Sequence, residues 1–484
     1  MKKLALLLTC ALILSSSIFY SSCGIYKKQI STYEINAKLC DNEILGAEKV
    51  TFYNDTENAF GKLKFNLFSN AFRKDAVFTP VTKAQEYLAY PNGKSYGDTQ
   101  ILSVKSNGED LEYEITGEDK NILTVTLKEK IFPEESVSVD IEFSVKLANV
   151  IARTGYNDKT INLANFYPIL CGIQNGGFYE CVYYSSGDPF FSDVSDYTVN
   201  FTCDSDYIVA SSGELIENKQ NGKENTYTYQ IENARSFAMV LSKEFECMTD
   251  TSLGFRVNYY FYDDTSPEQS MSYALKSMKL FSELFGEYPY STYSVVQTKF
   301  VQGGMEFPSL VMISDELEKK AYGEVIAHET AHQWWQTTVG NNEIEYAFLD
   351  EGLAEYSVVL FFENYPEYDM KRESLIKSAE QTYRAYCSVY DKLFEKTDTR
   401  MLRSLKDFTT EYEYVNIAYV KSAIMYDTLR NTVGEEIFFN SLKRYYEDYK
   451  FKNATPYDLI ASFEKSGVDV NGYFNSFFNG EVVI

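Results

Sequence analysis

Apolar residues in the first half of this 484-residue chain recur at every second position, and in the second half they recur at helical spacing. From about Tyr33 to Phe245 the runs are short, β-branched and alternating, as half-buried strands require. Lys49–Tyr53, Ile122–Leu127, Ser136–Val145 and Tyr197–Cys203 are the clearest. Asn92-Gly93, Asn107-Gly108 and Asn221-Gly222 supply turn signals between runs. A stretch of roughly 210 residues with no repeat and no low-complexity linker is within the range of one all-β unit. The character changes near Cys247. A strand-like run at Phe255–Tyr262 precedes a helical pattern over Ser266–Phe285. Strands at Tyr293–Phe300 and Leu310–Ile313 then flank a Gly-Gly turn. Ser314-Asp315 reads as the cap of a helix from about Glu316 to Val339, another helix starts near Phe348, and amphipathic stretches continue to the C-terminus. The expected fold is therefore multidomain: a β-rich domain over 30–247, then an α+β, mostly helical domain over 248–484.

The first residues read differently from both halves. Met1-Lys2-Lys3 is basic, and Leu4–Leu14 is apolar but short for a bilayer span. Small residues then lead to Cys23-Gly24, with Tyr20 where an aliphatic residue is usual. This resembles a bacterial lipoprotein signal over 1–23, which implies export and a lipid anchor at Cys23 on the extracytoplasmic membrane face. An ordinary cleaved signal would imply secretion instead.

Composition excludes some partners. The chain is 45% hydrophobic, a globular proportion, and carries a formal net charge of −25. Nucleic acid is not expected as a partner, because phosphate binding needs a basic footprint. Cys40, Cys171, Cys181, Cys203, Cys247 and Cys387 remain beyond the leader, with no C-x-x-C pair. They read as small buried hydrophobes rather than as a zinc site.

Only two histidines occur, and they stand four apart in His328-Glu329-Thr330-Ala331-His332. Two histidines placed at random would fall at that spacing about once in 240 chains. On a helix, positions i and i+4 share a face, so both imidazoles can reach one metal ion. Glu329 can then accept a proton from an attacking water. A catalytic zinc usually has three protein ligands, so a third must come from elsewhere. Glu351 lies nineteen positions beyond His332, in Leu349-Asp350-Glu351-Gly352-Leu353-Ala354-Glu355.

That spacing and context resemble the gluzincin aminopeptidases of the M1 family, relatives of aminopeptidase N and leukotriene A4 hydrolase. His332-Gln333-Trp334-Trp335 is similar to the end of the family's zinc helix, the two tryptophans reading as core. Gly303-Gly304-Met305-Glu306-Phe307 resembles the Gly-x-Met-Glu-Asn motif that binds the substrate's free amine. Tyr419-Val420-Lys421 resembles the segment with the catalytic tyrosine, and Tyr414 falls where relatives often carry another. Asn165–Pro168, Gly187–Phe190 and Ser211–Gly213 resemble the β domain of compact bacterial members. The resemblance implies one Zn²⁺ per chain held by His328, His332 and Glu351. It implies Glu329 as general base and acid, Tyr419 as oxyanion donor, and Gly303, Gly304, Met305 and Glu306 at the substrate. Glu355 is a candidate partner of the zinc ligands.

Two departures affect function. About 60 residues follow Lys421, too few for the helical C-terminal domain of larger members, so an open cleft is expected. The Phe-Pro-Cys-x-Asp-Glu-Pro stretch is missing, with the nearby glutamine that assists amine binding, which leaves exopeptidase specificity on Glu306. The implied activity is removal of N-terminal residues from peptides. The alternatives are a zinc endopeptidase or oligopeptidase with the same metal site, and a non-catalytic surface binding protein on this fold. Oligomeric state and P1 preference are not legible.

Overall fold

A computed structural model of the chain describes residues 29–394 and 396–482, so the leader with its candidate lipidation site lies outside the described residues. The first half is antiparallel in the main. Its largest sheet has eight strands, with Ser31–Cys40 at the centre between Glu43–Tyr53 and Ser195–Asp204. Ser31–Cys40 runs parallel to Ser195–Asp204, which alternation alone could not reveal. The alternation does decide the faces: Tyr33, Ile35, Ala37 and Leu39 are buried, as are Tyr197, Val199, Phe201 and Cys203 across the ladder. Tyr33 pairs with Tyr197 in register, and their rings stack with centroids 4.6 Å apart. Two four-stranded sheets and a two-stranded ribbon, Ile173–Gln174 with Gly177–Phe178, complete this half.

All four of the clearest expected strands lie inside observed ones: Glu43–Tyr53, Ile122–Ile131, Ser136–Lys146 and Ser195–Asp204. Asn107 and Gly108, at φ 51° and 79°, close a two-residue hairpin between Ser106 and Glu109. Asn92-Gly93 does not form a hairpin; it ends the short helix Glu86–Ala89, where Gly93 N–H bonds the Tyr90 carbonyl. Strand Ala238–Ser242 belongs to the β half, whereas Glu246–Asp250 already belongs to the next sheet, so the chain crosses over at Lys243–Phe245.

That next sheet has five strands in the order Glu246–Asp250, Arg256–Phe261, Thr292–Thr298, Leu310–Ser314 and Gly304–Phe307. The last is antiparallel to its neighbour and lies at the edge. Helix Pro267–Phe285 connects the two parallel strands Arg256–Phe261 and Thr292–Thr298, as the periodicity predicts. Helices Lys319–Ala331, Phe348–Asn364, Arg372–Phe394 and Lys421–Val433 follow.

The helix carrying the histidines is shorter than expected at both ends. Ser314 ends a strand, donates its hydroxyl to the Phe300 carbonyl and accepts from Glu316 N–H, but the helix begins only at Lys319, so Ser314 does not cap it. It stops at Ala331 because the residues beyond are claimed by other partners. Gln333 reaches the Gly304–Ser314 hairpin, its Nε2 donating to the Phe307 carbonyl and its Oε1 accepting from Ser309 N–H. Thr337 and Thr338 hydroxyls both bond the Gln333 carbonyl, and Val339–Gly340 pairs with Lys452–Asn453. Local polar competition of this kind ends helices whatever their apolar spacing.

Buried Arg235 joins the halves. Its Nε donates to the Gln336 carbonyl, Nη1 to the Ser192 carbonyl and the Asn453 side chain, and Nη2 to the Lys452 carbonyl. One hydrophobic cluster runs through both halves. Among the described residues all six cysteines are unpaired; Cys171, Cys181 and Cys203 are buried as expected, but Cys247 is exposed on an edge strand and Cys40 and Cys387 are half-buried. Among the described residues, no helix is long and apolar enough to cross a membrane.

Candidate active site

His328 lies in the last turn of its helix and His332 is the residue that caps it. Glu351 sits in the first turn of Phe348–Asn364, packed against that helix. The three side chains converge: His328 Nε2 and His332 Nε2 are 3.1 Å apart, and each is 3.2 Å from Glu351 Oε2. Their outer nitrogens are engaged elsewhere. His332 Nδ1 lies 2.9 Å from the Trp335 carbonyl, so it carries the proton, and His328 Nδ1 lies 3.3 Å from Glu355 Oε2. Partners on Nδ1 leave both Nε2 lone pairs facing inward, the arrangement that a metal-ligating imidazole needs. Three Lewis-basic atoms aimed at one another repel unless a cation or a proton lies between them. Two imidazoles and a carboxylate are a donor set that zinc takes. The residues present fit the metal that the sequence implies.

Electrostatics point the same way. Burial opposes the charged form of His328, but the hydrogen bonds it donates to Glu351 and Glu355 outweigh it and lift the group to about 9. Glu351 is driven the other way: both histidines overcome its burial and hold it well below the usual carboxylate range. Glu329 is buried with Oε2 unpartnered, and burial pushes it up to about 7. A cation held by the histidines would favour its ionised form.

Tyr419 reaches the cluster from the other side. Residues Asn416–Val420 form a π-helical turn just before Lys421–Val433, a distortion found often at functional sites. The turn stacks the Tyr419 ring on His328, with centroids 5.6 Å apart and planes 12° off parallel. Its hydroxyl donates to Glu351 Oε1, and Tyr414 OH lies 3.4 Å from the same oxygen. Burial first, and the Glu351 charge second, raise Tyr419 well above the phenol range, so it remains a donor.

The Gly303–Glu306 segment is placed unevenly. Gly303 and Gly304 line a cleft of about 400 Å³ together with Asp188, His328, Glu329, Glu355 and Tyr419. A Cβ on Gly304 would overlap the Glu329 carboxylate, which is why glycine is needed there. Met305 was expected at the substrate, but its side chain is buried and its sulfur accepts from Arg153 Nε at 3.0 Å. Strand alternation sends it to the face opposite its neighbours. Glu306 is 4% exposed, with one oxygen close to Glu329 and His332, but it borders a smaller cavity behind the cleft.

Several lining residues carried no assigned role in the sequence. Asp188, from the β half, pairs with buried Arg153 at the base of the cleft. Its motif, Gly187-Asp188-Pro189-Phe190, was the available signal, but the motif named no partner. Thr82 and Gln85, also from the β half, donate to Glu411 at 3.3 and 3.2 Å, so the expected open cleft is bridged at one rim. Trp334 and Trp335 are fully buried core residues.

Comparison with known proteins finds a family-domain match and a fold likeness. The model described as Peptidase family M1 domain matches residues 269–477. Residues 269–477 are therefore similar to a peptidase M1 domain. Aminopeptidase M1 of Arabidopsis thaliana is 26% identical over 294 residues, which cover 56% of this chain and 32% of that protein. Aminopeptidase N of Haemonchus contortus is 24% identical over 255 residues, 48% of this chain and 25% of that one. The alignments thus span about a third or less of these two relatives' length. Among solved structures, the M1 zinc metallopeptidase from Deinococcus radiodurans aligns at a TM-score of 0.68 with 16% identity, covering 94% of this chain and 95% of the other. A mutant described as a two domain M1 zinc metallopeptidase bound to L-arginine aligns at 0.67 with 15% identity, over 93% and 94%. The two-domain M1 fold therefore spans nearly the whole chain.

Proposed function

We propose that the chain is a zinc-dependent aminopeptidase, in which His328, His332 and Glu351 hold the metal. The convergence of those three donors at 3.1–3.2 Å, with Glu329 and Tyr419 beside them, carries the reading. Zinc bound there supplies Lewis acidity, which polarises a scissile carbonyl and lowers the pKa of water. Glu329 takes the proton from the attacking water at its unpartnered Oε2 and returns it to the leaving amine. Tyr419 turns its hydroxyl toward the developing oxyanion, a contact of the kind worth about 2.7–4 kcal/mol. Glu306 accepts from the substrate's α-ammonium, which fixes where the chain is cut. Arg153 holds Asp188 at the base of the cleft as a second carboxylate in reach of a cationic substrate end. A Deinococcus radiodurans M1 mutant whose structure holds Tyr-Ser-Ala as substrate supports a peptide as the ligand class.

The leader-like residues 1–23 support export, with lipidation at Cys23 anchoring the enzyme to the extracytoplasmic membrane face. A cell-fractionation comparison of wild type with Cys23→Ser tests the anchor, and equal membrane association of both would exclude it.

Hydrolysis of a free-amine peptide beside its N-acetylated copy tests the specificity. The free peptide is cut and the acetylated one is not. Equal cleavage of both would make the chain an endopeptidase on the same metal site. Bound zinc with no Glu329-dependent hydrolysis across a broad peptide panel would leave a binding protein.

A further inference from the structure

Behind Glu306 lies a second cavity, of about 20 Å³, whose wall includes Glu306, Phe307, Gln336, Asn341, Glu343 and Arg235. Glu306, Glu343 and Asp350 each offer a carboxylate oxygen within 4.8 Å of the other two. All three residues are buried, at 4%, 2% and 2% exposure. Glu306 Oε1 and Glu343 Oε1 have no hydrogen-bond partner. An independent feature sits in the same wall: the carboxamide oxygen of Gln336, on a side chain about nine-tenths buried, also has none.

No hydrogen bond reaches these oxygens, although the Arg235 charge lies within electrostatic reach of Glu343. Arg235 is spent on the Gln336, Ser192 and Lys452 carbonyls and on Asn453. Asn341 Nδ2 donates to Asp350 Oδ1 at 3.2 Å, which satisfies one oxygen of one carboxylate. Each desolvated carboxylate without a partner is expensive to bury. The cavity has room for one water or one ion. Burial raises all three carboxyls, so without an ion they hold protons; a water leaves them so, whereas a cation can displace the protons and take the oxygens as ligands. An all-oxygen donor set suits a hard cation, and Ca²⁺ tolerates irregular cages better than Mg²⁺ does.

We propose that this cavity, with the Asp350 carboxylate beside it, is a second metal site, in which Glu306, Glu343, Asp350 and Gln336 hold one Ca²⁺. The ion offsets two of the three carboxylate charges, the third carboxyl keeping a proton, and pins Glu306 through Oε1, leaving its other oxygen for the cleft. That consequence for the amine anchor rests on the aminopeptidase reading, whereas ion binding does not.

The test uses the zinc-loaded full chain. Equilibrium dialysis against ⁴⁵CaCl₂ should find one Ca²⁺ per chain in addition to zinc, and CaCl₂ should raise Tm. Glu343→Gln should weaken Ca²⁺ at least tenfold while zinc content stays unchanged. Crystals of the wild type soaked in MnCl₂ should give an anomalous peak among the four oxygens, a readout independent of the variant's folding. No Ca²⁺ uptake at millimolar CaCl₂, equal uptake by Glu343→Gln, a manganese peak only elsewhere, or zinc rather than calcium as the second equivalent would each overturn the proposal. Failure of the acetylated-peptide test would leave these readouts untouched, so the two readings can fail separately.

Discussion

Replacing Tyr419 by phenylalanine removes one oxygen and keeps the ring that stacks on His328 at 5.6 Å. The lost donor is of the kind worth about 2.7–4 kcal/mol in the transition state, or about 10²–10³-fold in kcat. The structure places the expected loss at the lower end. Tyr414 OH lies 3.4 Å from the same Glu351 oxygen, and the two tyrosine rings are 5.6 Å apart, so a neighbouring phenol is available as a weaker substitute. We therefore expect kcat on a free-amine tripeptide to fall about 10²-fold in Tyr419→Phe, with KM little changed. Tyr414→Phe should fall much less, and the double variant should reach about 10³-fold. The assay is steady-state kinetics by chromatography of the released amino acid, with zinc measured on each preparation. Because Tyr419 also contacts Glu351, a proposed zinc ligand, only preparations with full zinc count. A Tyr419→Phe enzyme with full zinc and a loss below fivefold would refute the oxyanion role, and a larger loss in Tyr414→Phe would transfer that role to Tyr414.

Two further perturbations follow from the buried charges. Arg153→Ala leaves Asp188 buried without its partner and should cost about 3–5 kcal/mol in urea unfolding; a loss under 1 kcal/mol would mean that the pair is solvated. In chelator-treated protein, Glu329 holds its proton up to about pH 7 when folded, against 4.5 as an ordinary carboxyl. The stability this gives is fully present below pH 4.5 and is lost as pH rises through about 7. Relative to Glu329→Gln, which cannot titrate, the wild type should lose about 3 kcal/mol across that window. Parallel pH curves for the two proteins would refute the shift.

The sequence carried most of the fold where one local rule decided the outcome. Strands such as Ser195–Asp204 and the hairpin at Asn107-Gly108 follow from alternation and turn chemistry acting over a few residues. The parallel pairing of Ser31–Cys40 with Ser195–Asp204 joins residues 164 positions apart, and no local pattern encodes it. The proposed zinc donors were legible because a helix fixes the i, i+4 geometry, and because a third ligand is a chemical requirement. The end of that helix was not, since it depends on what Gln333 finds across the fold. Tyr419 could be selected only by its resemblance, for the chain has 41 tyrosines and the π-turn that aims it has no spacing signature. Asp188 and Arg153 lie 35 residues apart and meet only once the β half is folded.

The central claim is that His328, His332 and Glu351 bind zinc and that Glu329 works beside it as the base. Its most direct test is zinc content by mass spectrometry, measured together with hydrolysis of a free-amine peptide, in wild type, His332→Ala and Glu329→Gln. Wild type should hold one zinc and hydrolyse the peptide, His332→Ala should lose both zinc and activity, and Glu329→Gln should keep zinc while its activity falls at least about 10²-fold, as for a general base. Full zinc in His332→Ala, or near wild-type activity in Glu329→Gln, would contradict the account.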